Sequence, residues 1–312
     1  MIIFFITFII SYFLLKLIIP YLEAFLVDLP NKRSSHKKAT PTGGGIIFVL
    51  MTLIASISLG YYQTIIIIPL SIVGFFDDKY RLNASVRALV QVISSIFIVF
   101  FSKFYNNISP EINLFSDILL FVFLVGFCTA IINMINFMDG LDGLLGGCML
   151  VTIMAISMGS NNVLLILCAS LLGFLVFNWA PARVFMGDGG STFLGGILCM
   201  LVLDKSNISE ALSICFLITP LIADPAICII RRFLANQDIF KAHQLHLFQR
   251  LHLAGWSHRK VSTLYISGSL LLSISYIFEG LKFTILTTIF IILVSFWLEK
   301  NKAIPFDKKY TN

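Results

Sequence analysis

The feature of this sequence that most constrains its fold is a series of long apolar runs separated by short polar loops. About 18 apolar residues in a helix span roughly 30 Å of hydrocarbon. Eight runs approach or exceed that length: 2–25, 43–60, 87–105, 115–135, 162–180, 208–230, 262–278 and 282–298. With 58% hydrophobic and 12% charged residues, the 312-residue chain cannot build an ordinary water-exposed surface. The sequence predicts an all-α polytopic membrane protein.

Three shorter runs, 64–76, 143–158 and 190–203, become spans only where neighbouring helices enclose them. Counting them gives eleven spans and places 18 of the 22 basic residues on one side of the membrane. The other side holds Lys103, Lys205 and Lys282, and Lys16 lies inside the first run. By the positive-inside rule, we expect about eleven helices, an outer N-terminus and a cytoplasmic C-terminus. The first run has no cleavage signal and is predicted to be a retained anchor.

The basic residues lie in short loops, so the net charge of +6 indicates topology and phosphate binding and excludes nucleic acid as a partner. All six cysteines fall in or beside apolar runs without a close CxxC pair. They are interpreted as small core residues, neither disulfide-bonded nor metal-bound.

Acidic residues concentrate at the predicted cytoplasmic ends of the spans. Asp77 and Asp78 are adjacent, and such a pair is stable chiefly beside a cation or basic residues. The alternative is a solvated helix end. Residues 136–143 place Asn136, Asp139 and Asp142 in a glycine-flanked break between two runs, which favours a binding site over a plain turn.

Residues 178–191 form the densest polar segment. It begins at Asn178, a candidate substrate ligand. Asp188 precedes a glycine pair and Ser191, where free backbone N–H groups suit anionic oxygens. Asp188 is a candidate ligand for a hard cation such as Mg²⁺. Phe185 either stacks on a base or packs against lipid.

Two basic loops are candidate phosphate sites. Residues 28–45 contain Arg33, His36 and Lys37, and residues 231–261 contain every other histidine of the chain. In that second loop His243, His246 and Arg250 are candidate substrate ligands, with ordinary loop roles as the alternative. His243 and His246 have a zinc-like HxxH spacing, but no nearby cysteine in the sequence completes a zinc site. Together, the acidic and basic segments favour metal-assisted phosphoryl chemistry at the membrane surface, with a lipid as one substrate.

Over residues 1–300 these segments resemble, in order, the polyprenyl-phosphate N-acetylhexosamine-1-phosphate transferases, the family that includes the phospho-N-acetylmuramoyl-pentapeptide transferases. The matching motifs are Asp28-Leu29-Pro30-Asn31 with Arg33 and His36, Pro41-Thr42-Gly43-Gly44, Gly74-Phe75-Phe76-Asp77-Asp78, Asn136 to Gly143, Phe185 to Ser191, and the His243/His246 loop. The resemblance implies one membrane transferase domain over 1–300, a cytoplasmic tail over 301–312, and a bacterial inner-membrane location.

The resemblance also implies the reaction. A polyprenyl phosphate such as undecaprenyl phosphate attacks the sugar-bearing phosphorus of a UDP-N-acetylhexosamine, and UMP leaves. Asp77, Asp78 and Asp188 would be catalytic, with Asp188 and Asp78 on Mg²⁺, or on Mn²⁺ in its place. Asn136, Asp139 and Asp142 would line the nucleotide pocket, and Phe185 would stack on uracil. The His243 loop looks more like the subgroup that initiates O-antigen and other surface glycans than the cell-wall enzyme.

Two rival functions remain. An aspartate-rich membrane prenyltransferase would need two facing DxxD-type motifs, whereas Asp139 and Asp142 supply one and no third acid follows Asp77-Asp78. A cation-coupled transporter predicts mid-span acids and paired repeats, and the sequence shows neither. The donor sugar and the oligomeric state stay open.

Overall fold

The structure, a computed structural model, describes residues 2–30, 35, 36, 38–158, 162–238 and 243–306. Within these ranges the chain is almost entirely helical, and the strands are two residues long. The helices are α1 (Ile2–Phe25), α2 (Ile46–Ser58), α3 (Ile68–Tyr80), α4 (Ala84–Phe100), α5 (Lys103–Ile108), α6 (Leu114–Phe137), α7 (Leu144–Ser157), α8 (Asn162–Asn178), α9 (Asp188–Leu203), α10 (Ile208–Leu217), α11 (Thr219–Leu234), α12 (Leu247–Leu253) and α13 (His258–Asn301). The predicted all-α membrane fold is confirmed at this level.

Four helical segments, α1, α6 and the two parts of α13 before and after Gly280, are long and apolar enough to cross a bilayer. The number of crossings is six if each of two sharply bent helix pairs is one span. Their outer faces carry many exposed large apolar side chains, as expected for lipid contact. The protein is therefore a multi-pass membrane protein. The three short predicted runs form α3, α7 and α9, and both α7 and α9 are largely buried.

Helix α9 lies at the centre of the bundle and packs against α3 and α6. Its first residue is Asp188, and beyond its last residue Asp204 pairs with Lys103 at 2.9 Å. A 16-residue helix is about 24 Å long, so the two acids mark opposite ends of the bundle. The polar residues predicted to carry chemistry belong to the Asp188 end.

The run predicted as one span over 208–230 is broken, and α10 and α11 meet at 76°. Pro220 lies in the first turn of α11, where its missing N–H and fixed φ favour a helix start over a continued helix. Helix α13 also breaks, at Gly280 with φ of 66°, which separates the last two predicted spans. Each break therefore lies at a residue that favours it, a proline in the first case and a glycine in the second.

A short antiparallel pair joins β1 (Val27–Asp28) to β2 (Thr40–Pro41). The backbone then continues this pairing onto another loop, because Phe185 N–H donates to Pro41 at 2.8 Å and Gly44 N–H donates to Phe185 at 2.9 Å. The loop after α1 is thereby held against the loop between α8 and α9. Both loops contribute predicted site residues.

Candidate active site

The predicted catalytic aspartates meet where the end of α3 touches the start of α9. The Asp188 backbone N–H donates to Asp78 Oδ1 at 3.0 Å. Helix α3 can approach so closely because residue 74 is glycine: a Cβ there would lie 2.4 Å from Gly189 N and 2.5 Å from the Asp188 carbonyl carbon. The α3–α9 contact thus brings together two acidic segments that are 110 residues apart in the sequence.

Arg87, in the first turn of α4, links the two acidic segments electrostatically. Its Nη1 lies 2.7 Å from Asp77 Oδ2 and 3.6 Å from Asp188 Oδ2. Asp77 is buried, whereas the Asp188 side chain is about one third exposed. From the sequence, Arg87 is expected only to be one of the 18 basic residues that set the topology. A basic residue in the first turn of a helix opposes the helix dipole, and this is the signal that could have identified it.

Asp78 has one buried carboxylate oxygen, Oδ2, at the contact between α3 and α9. Its Oδ2 has no hydrogen bond to any residue that the structure describes. Gly187 leaves room for this oxygen, since a Cβ at residue 187 would lie 2.3 Å from it, and its φ of 79° also favours glycine. A buried, unpaired carboxylate oxygen is costly without a cation or a proton.

These groups fit a magnesium ion. Asp77, Asp78, Asp139 and Asp188 influence one another electrostatically, and among the residues that the structure describes their ion pairs involve a single cation, Arg87. Mg²⁺ is usually held by one or two carboxylates together with substrate phosphates and water. Asp78 and Asp188 supply that donor set, and a divalent cation would offset the excess negative charge.

Two residues of the loop between α6 and α7 extend this acidic cluster. The Ser191 hydroxyl of α9 donates to Asn136 Oδ1 at 2.9 Å, which ties the end of α6 to the start of α9. Burial, together with the negative charges of Asp188 and Asp142, raises the pKa of Asp139 to about 7. Without a cation, Asp139 therefore holds its proton far more strongly than an ordinary aspartate.

The side chains of Asp142 and Asn178 make hydrogen bonds to other parts of the protein. Asp142 accepts the Ala182 N–H at 3.1 Å and lies 3.1 Å from His258 Nδ1. The Asn178 amide accepts from Gly143 N–H and donates to the Val184 carbonyl, both at 3.0 Å. Both residues thus join the loop after α6 to the loop after α8. Their predicted contacts with substrate stay predictions.

Phe185 is half-buried beside His36, with ring centroids 4.9 Å apart and the rings tilted at 66°. His36 Nε2 lies 3.7 Å from Asp28 Oδ2. This arrangement puts an aromatic face and a histidine of the first loop at one edge of the acidic cluster. The predicted ligands Arg33 and Lys37 lie outside the described residues.

The loop after α11 is anchored by a buried acid that the sequence analysis did not assign to any role. Asp224 of α11 accepts the backbone N–H groups of Leu247 at 2.7 Å and Phe248 at 3.1 Å, and the Tyr265 hydroxyl at 2.6 Å. His246 is buried, with Nδ1 3.8 Å from Asp224 Oδ1. The hydrogen bonds of Asp224 therefore hold the start of α12 against α11.

Arg250 of α12 is also buried, and protein groups occupy its guanidinium. It donates to the carbonyls of Leu245 and Ile304, both at 3.1 Å, and to Glu299 at 2.6 Å. The first residues of the tail, predicted to be a polar extension, thus pack on the protein, with Phe306 5.5 Å from the Arg250 guanidinium. Any contact between Arg250, His243 or His246 and substrate stays a prediction.

Comparison with known proteins gives one family. Residues 60–206 match the family described as glycosyl transferase family 4. A Bacillus subtilis protein named probable undecaprenyl-phosphate N-acetylglucosaminyl 1-phosphate transferase is 33% identical, over 91% of this chain and 88% of that protein. A Fervidobacterium nodosum phospho-N-acetylmuramoyl-pentapeptide-transferase is 30% identical, over 80% of this chain and 85% of its own length. A Thermotoga maritima undecaprenyl-phosphate alpha-N-acetylglucosaminyl 1-phosphate transferase is 30% identical over 61% of each chain.

Proposed function

Because the chain belongs to glycosyl transferase family 4, the polyprenyl-phosphate N-acetylhexosamine-1-phosphate transferases, we propose that it transfers an N-acetylhexosamine-1-phosphate from a UDP-sugar to undecaprenyl phosphate and releases UMP. The observation that carries this proposal is the convergence of Asp77, Asp78 and Asp188 with Arg87 at one end of the helix bundle. Charged groups of both signs at a membrane surface suit a reaction between two phosphates.

In the proposed reaction, an oxygen of the lipid phosphate forms a bond to the sugar-bearing phosphorus. The bond from that phosphorus to the oxygen bridging to UMP breaks, and UMP leaves with the bonding electrons. A lipid phosphate is already largely ionised near pH 7, so direct attack needs no general base. Charge neutralisation and positioning then supply most of the catalysis.

The protein's own residues would do this positioning. Arg87 holds Asp77 and lies near Asp188, so it fixes two carboxylates and partly offsets their charge. The Asp188 N–H orients Asp78 so that its second oxygen stays unpaired. When bound by Asp78 and Asp188, Mg²⁺, or Mn²⁺ in its place, would neutralise diphosphate charge and align the two substrates.

Asn136, Asp139 and Phe185 lie at the margin of this cluster and are proposed to form the nucleotide pocket, with Phe185 stacked on uracil. Asp142 and Asn178 would shape the same pocket by joining its two loops. Arg33, His36 and Lys37 are proposed to contact phosphate from the first loop. His243, His246 and Arg250 stay proposed substrate ligands on the loop after α11, and for the two histidines this role is the alternative to holding a metal ion.

We further propose eleven spans with the reaction on the cytoplasmic face of the bacterial inner membrane. The spans would be α1–α4 and α6–α9, the bent pair of α10 and α11, and the two halves of α13. This assignment supports an outer N-terminus and an inner C-terminus, because it keeps the loops with 18 basic residues on one side. The product would initiate O-antigen, another surface polysaccharide or a cell-wall glycan.

The test is UMP release by the purified protein in detergent, with undecaprenyl phosphate, Mg²⁺ and a panel of UDP-sugars. The panel should include UDP-N-acetylglucosamine, an N-acetylated 6-deoxyhexose donor and the UDP-muramoyl-pentapeptide. We expect one N-acetylated donor to release UMP only when the lipid phosphate is present. Release from none of them, with the folded protein verified by its thermal transition, would refute the proposed reaction.

A further inference from the structure

A second group of potential metal ligands lies on the loop side of α11, separate from the aspartate cluster. Cys228 of α11, His243 and His246 offer ligand atoms that all lie within 4.8 Å of one another. A zinc site at the HxxH pair was not expected, because no nearby cysteine in the sequence completes it. The structure corrects that reasoning, because α11 brings in Cys228 from 15 residues before His243.

His246 is arranged as a metal-binding histidine would be. The residue is only 4% exposed, and its Nδ1 has no hydrogen-bond partner among the described residues. Asp224, one helical turn before Cys228 on α11, places its carboxylate 3.8 Å from that nitrogen. Metal-binding histidines commonly direct their second ring nitrogen at a carboxylate, which sets the tautomer and the ring orientation.

We propose that Cys228, His243 and His246 bind a zinc ion, with Asp224 orienting His246. A thiolate and two imidazoles are the donors that Zn²⁺ prefers, whereas Mg²⁺ prefers carboxylate, phosphate and water oxygens. The two sites on this protein would therefore select different metals by their donor chemistry. This proposal goes beyond the transferase reaction and does not depend on it.

Only small side-chain movements are needed to form this site. Zn–N bonds of about 2.0–2.1 Å and a Zn–S bond of about 2.3 Å in a tetrahedral site place ligand atoms about 3.3–3.6 Å apart. Cys228 and Asp224 line a cavity of about 170 Å³ between α11 and α13, which leaves the Cys228 side chain room to rotate. His243 Nδ1 accepts the Leu245 N–H at 3.2 Å, so ligation through this nitrogen would replace that hydrogen bond by a metal bond.

The surrounding charge also tolerates a divalent cation. Zinc binding deprotonates the Cys228 thiol, and the thiolate with Asp224 supplies two negative charges against the two of Zn²⁺. Of the three nearby arginines, Arg231 and Arg250 donate to the carboxylate of Glu299, and Arg232 donates to the Asp238 carbonyl. Each guanidinium is therefore held by other protein groups.

The bound zinc would fasten α12 to α11 and thereby hold one wall of the reaction site. Phe248 of α12 packs on residue 140, where a Cβ would lie 2.9 Å from its ring. Gly140 directly follows Asp139, so displacement of α12 changes the position of the acidic loop. The role is structural, and the zinc does not contact the reacting phosphates.

The experiment uses the full-length protein in detergent, purified without a histidine tag and compared as wild type, Cys228→Ser, His243→Gln and Cys215→Ser. Cys215 is the matched control because it lies on α10, outside the cluster. We expect about one zinc per wild-type chain, retained in excess Mg²⁺. After exchange to Co²⁺, we expect a thiolate-to-cobalt charge-transfer band, present in Cys215→Ser and lost in Cys228→Ser.

His243→Gln should keep the thiolate band but weaken zinc binding by at least about tenfold, because one of three protein ligands is lost. Three results would overturn the proposal: no retained zinc in the wild type, displacement of zinc by Mg²⁺, or an unchanged cobalt spectrum in Cys228→Ser. The thermal transition of each variant verifies folding. None of these measurements requires turnover, so failure of the zinc site and failure of the transferase reaction remain distinguishable.

Discussion

Replacing Gly74 by alanine tests whether close contact between α3 and α9 positions the aspartates. The new Cβ would lie 2.4 Å from Gly189 N and 2.6 Å from the Asp188 carbonyl oxygen. Ordinary contacts are about 3.5 Å, so the two helices must separate by about 1 Å. Both obstructing atoms belong to the backbone, and no side-chain rotation can relieve the clash. Overpacking of this kind costs about 1–3 kcal/mol.

The same displacement should move Asp78 away from the Asp188 N–H. A misplacement of about 1 Å in a catalytic group can lower the rate about 10²-fold, so we expect a loss of that order in UMP release by Gly74→Ala. The matched control is Gly126→Ala in α6, because a Cβ there meets no atom within 4 Å. The control should keep wild-type turnover and thermal stability. If Gly74→Ala also kept both, the packing argument would be refuted.

Three further predictions concern charge. Arg87→Ala should lower turnover about tenfold or more, since it removes the cation that lies beside two carboxylates. The control is Lys79→Ala, an exposed residue directly after the acidic pair, which should keep wild-type turnover. Equal losses in the two variants would count against a role of Arg87 in the site. Asp188→Asn should abolish metal-dependent turnover by several orders of magnitude, and unchanged activity would remove Asp188 from the site. Because the pKa of Asp139 is raised to about 7, its proton binds the folded state more tightly than the unfolded state. In EDTA the melting temperature should therefore fall as the pH rises from about 4 to 7. Asp139→Asn should lessen that fall, and identical pH profiles of the variant and the wild type would contradict this prediction.

The membrane class and the acidic segments were predictable because hydropathy and local motifs act over short stretches of sequence. The runs at 64–76 and 190–203 were recognised as possible buried spans, and they form α3 and α9. The break within 208–230 was not predicted, although Pro220 marks where α11 begins. The apolar composition of a run does not show whether it forms one straight helix or two helices that meet at an angle.

Tertiary contacts account for most of what the sequence did not reveal. Arg87 looked like a topology signal until α4 placed it against Asp77 and Asp188. Cys228 looked like a core residue, because nothing in the sequence shows that the loop after α11 returns to place two histidines beside its thiol. Pairings of this kind depend on helix packing, which local sequence patterns do not specify.

The proposed reaction is a direct one between a lipid phosphate and a sugar nucleotide at the aspartate cluster. It can be tested by the exchange of labelled UMP into the UDP-sugar, with the purified protein, Mg²⁺ and the donor found in the panel. We predict exchange only when undecaprenyl phosphate is present, and none in Asp188→Asn. Exchange without the lipid would contradict direct attack, and no exchange in its presence would contradict the reaction itself.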